Sequence, residues 1–181
     1  NKVYDATTDA TVAGTASLTG IVAGDVVSWD DSGITGTFVN KNVGIEKAVL
    51  ISGLSLSGAD ASNYSVGSLG VTADITAKAV TLAGIAAGNK VYDGTVNAEL
   101  VTGGASITGV IGGDDVSLDG SLGSGVFANK SVGNGKTVTV TDLVLSGTDA
   151  SNYTVAPLAG LTADITAKEL TITGVSVANK I

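Results

Sequence analysis

Most of this chain is written twice. Asn1-Lys2-Val3-Tyr4-Asp5 returns 88 positions later as Asn89-Lys90-Val91-Tyr92-Asp93. Gly24-Asp25, Phe38, Val43-Gly44 and Tyr64 return after 89 positions as Gly113-Asp114, Phe127, Val132-Gly133 and Tyr153. Ala73-Asp74-Ile75-Thr76-Ala77-Lys78 returns after 90, and a third copy opens at Asn179-Lys180-Ile181. Self-similarity at a fixed period means one structural unit built repeatedly, so the fold must close within a single period. The drifting offset requires two single-residue insertions, before Leu18/Ile107 and between Tyr64 and Ala73, where loops absorb them.

Within each copy the apolar residues alternate. Leu54-Ser55-Leu56-Ser57, repeated as Leu143-Val144-Leu145-Ser146, puts its leucines on one face, as a half-buried strand requires. Gly58 and Asp60 then supply turn chemistry before Tyr64 opens the next strand, and Gly147, Asp149 and Tyr153 repeat the arrangement. In the second copy the pattern predicts six or seven strands, over 79–85, 98–101, 105–110, 115–118, 125–128, 136–145 and 153–165, the last broken at Pro157. The best helical segment, 18–27, is opposed by Gly20 and Gly24. The expectation is an all-β protein: two tandem β-sandwich repeats in an elongated rod. The alternative is a β-grasp-like α+β repeat with one short helix over 18–27.

Composition removes several functions. With nine basic against 17 acidic residues, the net charge is -8, and such a surface repels phosphate backbones and anionic membranes. Gly, Ser, Thr or Asp interrupts every apolar run well short of a membrane span. There is no His and no Cys, no serine with an evident base, and no glycine loop opening a helix, so no enzyme is expected. Lack of cysteine suits a reducing cytosol, and equally an exported protein that forgoes disulfides. The opening Asn1-Lys2-Val3-Tyr4 reads as the middle of a longer protein rather than a leader.

The boundaries expected are a first repeat at 1–77 lacking its opening strand, a complete second repeat at 78–167, and at 168–181 the opening strand of a truncated third. Only Ala77-Lys78-Ala79 separates the strand predicted at 71–76 from the next. A strand without a sheet and a sheet with an empty edge are complementary, which predicts head-to-tail strand donation between neighbouring molecules.

Several motifs in order carry a resemblance: Val91-Tyr92-Asp93-Gly94, Gly112-Gly113-Asp114-Asp115-Val116-Ser117-Leu118, Phe127-Ala128-Asn129-Lys130-Ser131-Val132-Gly133, Leu145 through Tyr153, and Ala163 through Lys168. Together they resemble the YDG-type repeat found in tandem in very large bacterial surface proteins, including filamentous-haemagglutinin-like adhesins. The resemblance implies an extracellular stalk or adhesin segment and names no ligand. The first copy departs from it: Ala6 replaces the glycine of Tyr-Asp-Gly, and Val26 the second Asp of Gly-Asp-Asp. With alanine there, no positive φ is expected at position 6. The Asp60/Tyr64 and Asp149/Tyr153 corners look like the tyrosine corner of immunoglobulin-like sandwiches, where the ring packs inside and the hydroxyl ties the turn, so the two sandwich repeats are expected to be immunoglobulin-like.

Asp30, Asp31, Asp114 and Asp115, with the Asp60 and Asp149 corners, are candidate Ca²⁺ ligands; the alternative is that they cap turns. No cofactor is otherwise expected. Asn63-Tyr64-Ser65, Asn152-Tyr153-Thr154 and Asn129-Lys130-Ser131 are glycosylation sequons, and some adhesins of the kind resembled carry sugars at such sites; the alternative, which is favoured, is that Asn63 and Asn152 are corner residues and the Ser/Thr follow from strand alternation. An isopeptide bond would need a buried lysine beside an Asn or Asp, whereas Lys2, Lys41, Lys90 and Lys130 sit in polar turn contexts and are expected in solvent. Trp29, replaced by Leu118 in the second copy, is read as a packing residue before a sugar platform. The functional expectation is a spacer whose partners are neighbouring repeats. The rival is a module that itself binds a glycan or protein, with or without Ca²⁺.

Overall fold

A computed structural model describes residues 1–14, 17–119 and 123–179. The end of the third-copy motif, 180–181, lies outside the described residues. Among the described residues every regular element is a strand except two three-residue 3-10 turns, Ala61–Asn63 and Ala150–Asn152. The protein is all-β. Residues 18–27 form neither helix nor strand; Gly20 (φ 86°) and Gly24 (φ 102°) hold a left-handed backbone that a right-handed helix cannot contain.

The chain divides into two compact units. The first comprises Asn1–Ala79 together with Ile111–Asp115 and Thr148–Thr154; the second comprises Val80–Val110, Val116–Gly147 and Val155–Ile181. The first unit is built on a five-stranded sheet in the order Lys2–Val3, Val71–Thr76, Gly44–Ser52, Thr35–Phe38, Asp9–Ala10. Lys2–Val3 runs parallel to its neighbour, with Lys2 opposite Ile75, and the other pairs are antiparallel. The second unit repeats the plan with Lys90–Val91, Thr162–Thr166, Gly133–Thr141, Ser124–Phe127 and Asn97–Ala98, Lys90 lying opposite Ile165. Aromatic and β-branched residues from alternate positions fill each interior: Tyr4, Phe38, Val49 and Ile75 in the first, Phe127, Val138 and Ile165 in the second.

Several predicted strands are divided. The run 136–145 is two strands, Gly133–Thr141 and Val144–Ser146, because Asp142 turns into the left-handed region (φ 59°). The run 98–101 changes partner at Glu99: Asn97–Ala98 pairs with Ser124–Phe127, and Leu100–Val101 with Ala86–Ala87. The run 153–165 is Tyr153–Val155 and Thr162–Thr166. Lys2–Val3 and Lys90–Val91 escape a reading by periodicity because two residues have no period.

The expectation at position 6 is overturned. Ala6 has φ 64°, beside φ 83° for Gly94 at the same place in the second copy. Lys2 ties down this turn: its Nζ donates to Asp5 Oδ1 at 2.7 Å and to the Thr7 carbonyl at 3.0 Å. A second strained residue, Glu46 (φ 50°), sits in a bulge between Gly44 and Lys47; the second copy has Gly135 there (φ 59°). An aspartate holds each bulge, Asp74 accepting the Glu46 N–H at 2.8 Å and Asp164 the Gly135 N–H at 2.7 Å. A side chain in this backbone region costs on the order of 1 kcal/mol. Ala6→Gly and Glu46→Gly are each expected to stabilise the first unit by about 0.5–1 kcal/mol in urea titrations, and together nearly additively.

Candidate functional site: carboxylates at the tyrosine corners

Each corner starts from the run Asp-Ala-Ser-Asn-Tyr. Asp60 takes the Asn63 N–H on its carbonyl at 3.0 Å, which closes the 3-10 turn and swings Tyr64 back over the loop before it. The Asp60 carboxylate accepts the Val26 N–H at 2.9 Å, while its own N–H reaches the Val26 carbonyl at 3.2 Å. Tyr64 then uses its hydroxyl twice, accepting the Val22 N–H at 3.0 Å and donating to Asp25 Oδ2 at 2.6 Å. One aspartate and one phenol thus hold a glycine-rich loop at both ends.

The second corner has the same bonds. Asp149 Oδ2 accepts the Asp115 N–H at 3.1 Å, and Tyr153 accepts the Ile111 N–H at 3.1 Å and donates to Asp114 Oδ2 at 2.6 Å. This corner, formed by Ile111–Asp115 and Thr148–Thr154, belongs to the first unit, and Asp114 gathers further donors there. The Tyr4 hydroxyl reaches its Oδ2 at 2.9 Å and Lys41 Nζ its Oδ1 at 3.1 Å, leaving the side chain 5% exposed. Lys41 also lies 3.3 Å from Asp149. The rings of Tyr4 and Tyr153 meet edge to face, centroids 5.4 Å apart. Asn152, buried, accepts the Val43 N–H at 2.9 Å.

The electrostatics follow from these contacts. The Tyr153 hydroxyl bond, aided by Tyr4 and Lys41, holds Asp114 below the usual carboxylate range against the opposing effect of burial. Burial, then Asp114, pushes Tyr153 up to about 12, and burial also raises Tyr4. Tyr4 and Asp114 raise Lys41, keeping it an ammonium. A charged amine beside an ionised carboxylate is an ion pair and not the neutral nucleophile that isopeptide formation needs.

Two pH effects are expected. Burial favours the neutral acid at Asp5, but Lys2 and Thr7 hydrogen bonds prevail and bring it down to about 2; Lys90, with Thr95, lowers Asp93 in the same way. A depressed folded pKa contributes stability above the unfolded value of about 4, so the melting temperature should fall as pH drops from about 4 through 2. Tyr153 has the opposite sign. Its folded pKa is raised, so its contribution is complete below about 10 and is lost as pH rises through about 12. Ultraviolet absorbance of phenolate should show late-ionising tyrosines over that interval.

The other candidates disperse. Asp30 Oδ1 accepts the Ser32 N–H at 2.9 Å, which lowers its pKa; the Asp31 carbonyl accepts the Ile34 N–H; Asp115 Oδ2 accepts the Thr148 N–H at 3.0 Å. Among the described residues no three acids gather into a set that could hold a metal ion. Three of the four lysines depart from the sequence reading, while Lys130 is exposed as expected. Lys2 and Lys90 are mostly buried, each lying over a phenylalanine ring, Phe38 at 5.6 Å and Phe127 at 5.5 Å, and Lys41 lies over Tyr4 at 5.8 Å. The sequence signal was available: each terminal lysine precedes an Asp by three residues and a Thr by five. Of the sequons, Asn63 is exposed, whereas Asn152 is buried and Asn129 accepts from Lys136 and Ser131. Trp29 pairs with Leu56 across a two-stranded ladder and lines an apolar groove of about 260 Å³ with Val12, Ile51 and Leu54.

These observations define a class: an all-β tandem-repeat protein whose polar side chains are largely spent on bracing its own loops. A family model, the YDG domain, matches it twice, over residues 1–73 and 76–163, and the chain belongs to that family. No curated protein and no solved structure matches it. Among the described residues no helix is long and apolar enough to cross a membrane.

Proposed function

We propose that this chain is a structural spacer from a bacterial surface adhesin of the filamentous-haemagglutinin-like kind, working outside the cell to carry a distal binding region, with neighbouring repeats as its partners. The observation that carries this reading is the use made of the corners. Two YDG domains follow one another with two residues between their matches, and the second match lends Ile111–Asp115 and Thr148–Thr154 to the first compact unit, where Asp114 is bonded to Tyr4 and Lys41, Asn152 to Val43, and the Tyr153 ring packs edge to face on Tyr4. Groups that would serve catalysis or ligand capture serve cohesion instead. The sandwich architecture expected from the alternation fits such a role.

Calorimetry with and without calcium, alongside a glycan array, tests the reading. A site of ~10⁻⁴ M affinity would stabilise the chain by about 1.4 kcal/mol at millimolar metal. The spacer reading expects no such gain and no retained glycan. A calcium-dependent rise in melting temperature, or specific glycan binding lost in Trp29→Ala, would replace it with the rival, a binding module.

A further inference from the structure

One residue pair sets the bulge of the second copy apart from that of the first. Both copies break the ladder at the same place: Gly44 lies opposite Ile75 and Lys47 opposite Ala73, as Gly133 lies opposite Ile165 and Lys136 opposite Ala163. Two residues on the long strand therefore face one on its neighbour. In the first copy the two are Ile45-Glu46, and in the second they are Asn134-Gly135. No other asparagine in the chain is followed by glycine.

That order of residues has a chemical consequence. The backbone nitrogen that follows an asparagine can attack the side-chain carbonyl carbon and close a five-membered ring. A β-carbon on the following residue crowds the attack, and glycine has none. Asn134 and Gly135 are both exposed, and a β-carbon added to Gly135 would meet nothing within 4 Å, so the ring and a water molecule both have room. Among the described residues no hydrogen bond holds the Asn134 amide, which leaves it free to swing toward the chain.

The bulge also carries a restraint. The Gly135 N–H donates to Asp164 Oδ1 at 2.7 Å, and Asp164 is fixed in turn, its own N–H donating to Asn89 Oδ1 at 2.8 Å. An amide nitrogen attacks only after losing its proton. Removing that proton here breaks a charge-assisted hydrogen bond and sets a second negative charge beside the carboxylate.

We propose that Asn134 is a modification site, converted to aspartate and isoaspartate, and that Asp164 sets the rate by guarding the Gly135 N–H. Hydroxide takes the Gly135 proton, the nitrogen bonds to Asn134 Cγ, and ammonia leaves with a proton from water. Water then opens the succinimide at either carbonyl. Either product adds a carboxylate to a bulge that already holds Asp164, and isoaspartate also lengthens the backbone by one carbon. Both changes loosen the pairing of Gly133–Thr141 with Thr162–Thr166. The first copy is inert at the same backbone position: Asp74 holds the Glu46 N–H at 2.8 Å, but Ile45 has no amide to react. The second unit thus carries a chemical clock that the first lacks.

Complete trypsin digestion releases residues 131–136 as one peptide in which Asn134 is the sole asparagine, so mass spectrometry after incubation at mildly alkaline pH reads the conversion directly. A hydrogen bond to a charged group that must break before attack slows a reaction by about tenfold or more. The folded chain should therefore convert at least about tenfold more slowly than the chain unfolded in urea. Asp164→Asn, which keeps an acceptor and removes the charge, should convert faster than the unmodified chain, and Asp164→Ala faster again. Rates are compared at temperatures equally far below each chain's melting transition, so that looser folding is not mistaken for a missing guard. Asp74→Asn, the same change in the first unit's bulge, should leave the rate at Asn134 where it was. A chain that keeps its Asn134 amide even in urea, a folded chain that converts as fast as the unfolded one, an Asp164→Asn chain no faster than the unmodified one, or an equal gain from Asp74→Asn would each overturn the proposal.

Discussion

Asp114→Ala should lower the stability of the first unit by about 3 kcal/mol, read as a shift of its urea midpoint. The carboxylate is almost fully covered and accepts from two tyrosine hydroxyls and an ammonium. Truncation strands Tyr4 and Tyr153, both buried, with donors and no acceptor. Each buried hydroxyl left unpaired costs about 1–3 kcal/mol. Lys41 is more exposed and recovers water, so it adds less. The comparison is Asp25→Ala at the first corner. There, among the described residues, the carboxylate takes a side-chain hydrogen bond from Tyr64 only, whose ring is half-buried, and the expected loss is about 1 kcal/mol. Equal losses would show that the extra donors on Asp114 contribute nothing.

The second large effect is at Val80, which has no exposed surface. Val80→Asp places a carboxylate without a partner in the core of the second unit and should cost more than about 4 kcal/mol, enough to abolish that unit's cooperative transition. Leu170→Asp makes the same kind of change at the same repeat position in the tail, where the side chain is already in water. Its effect on the melting of a dilute sample should stay within about 0.5 kcal/mol. The contrast separates what a residue is from where the chain has put it.

Much of the fold was legible. Period-2 alternation in segments such as Lys136 through Thr141 identifies strands, because a half-buried ladder imposes that period and no other. The Asp60/Tyr64 and Asp149/Tyr153 corners announced themselves by repetition. Three things were not visible. Ala6 adopts a left-handed backbone against its own preference, because the Lys2–Asp5–Thr7 bonds around it outweigh the local cost. The parallel strand at Lys90–Val91 is too short to show a pattern. Asp114 looked like a calcium ligand because an acidic pair has the same letters whether it faces metal or phenol. Of its donors, Tyr153 lies 39 residues away along the chain and Tyr4 and Lys41 more than 70, beyond any local signal.

The exposed tail also bears on proteolysis. All nine basic residues are lysines, so trypsin can cut only there. Lys2 and Lys90 lie over aromatic rings, and Lys47 and Lys136 lie within long strands. Lys168 is exposed and followed by unpaired backbone, the extended substrate a protease cleft accepts. Lys130 is likewise exposed and outside any strand, so a brief digestion should clip the described chain first after Lys130 and Lys168. Of the two, only the cut after Lys168 spares every strand, since none of the described residues beyond it lies in one.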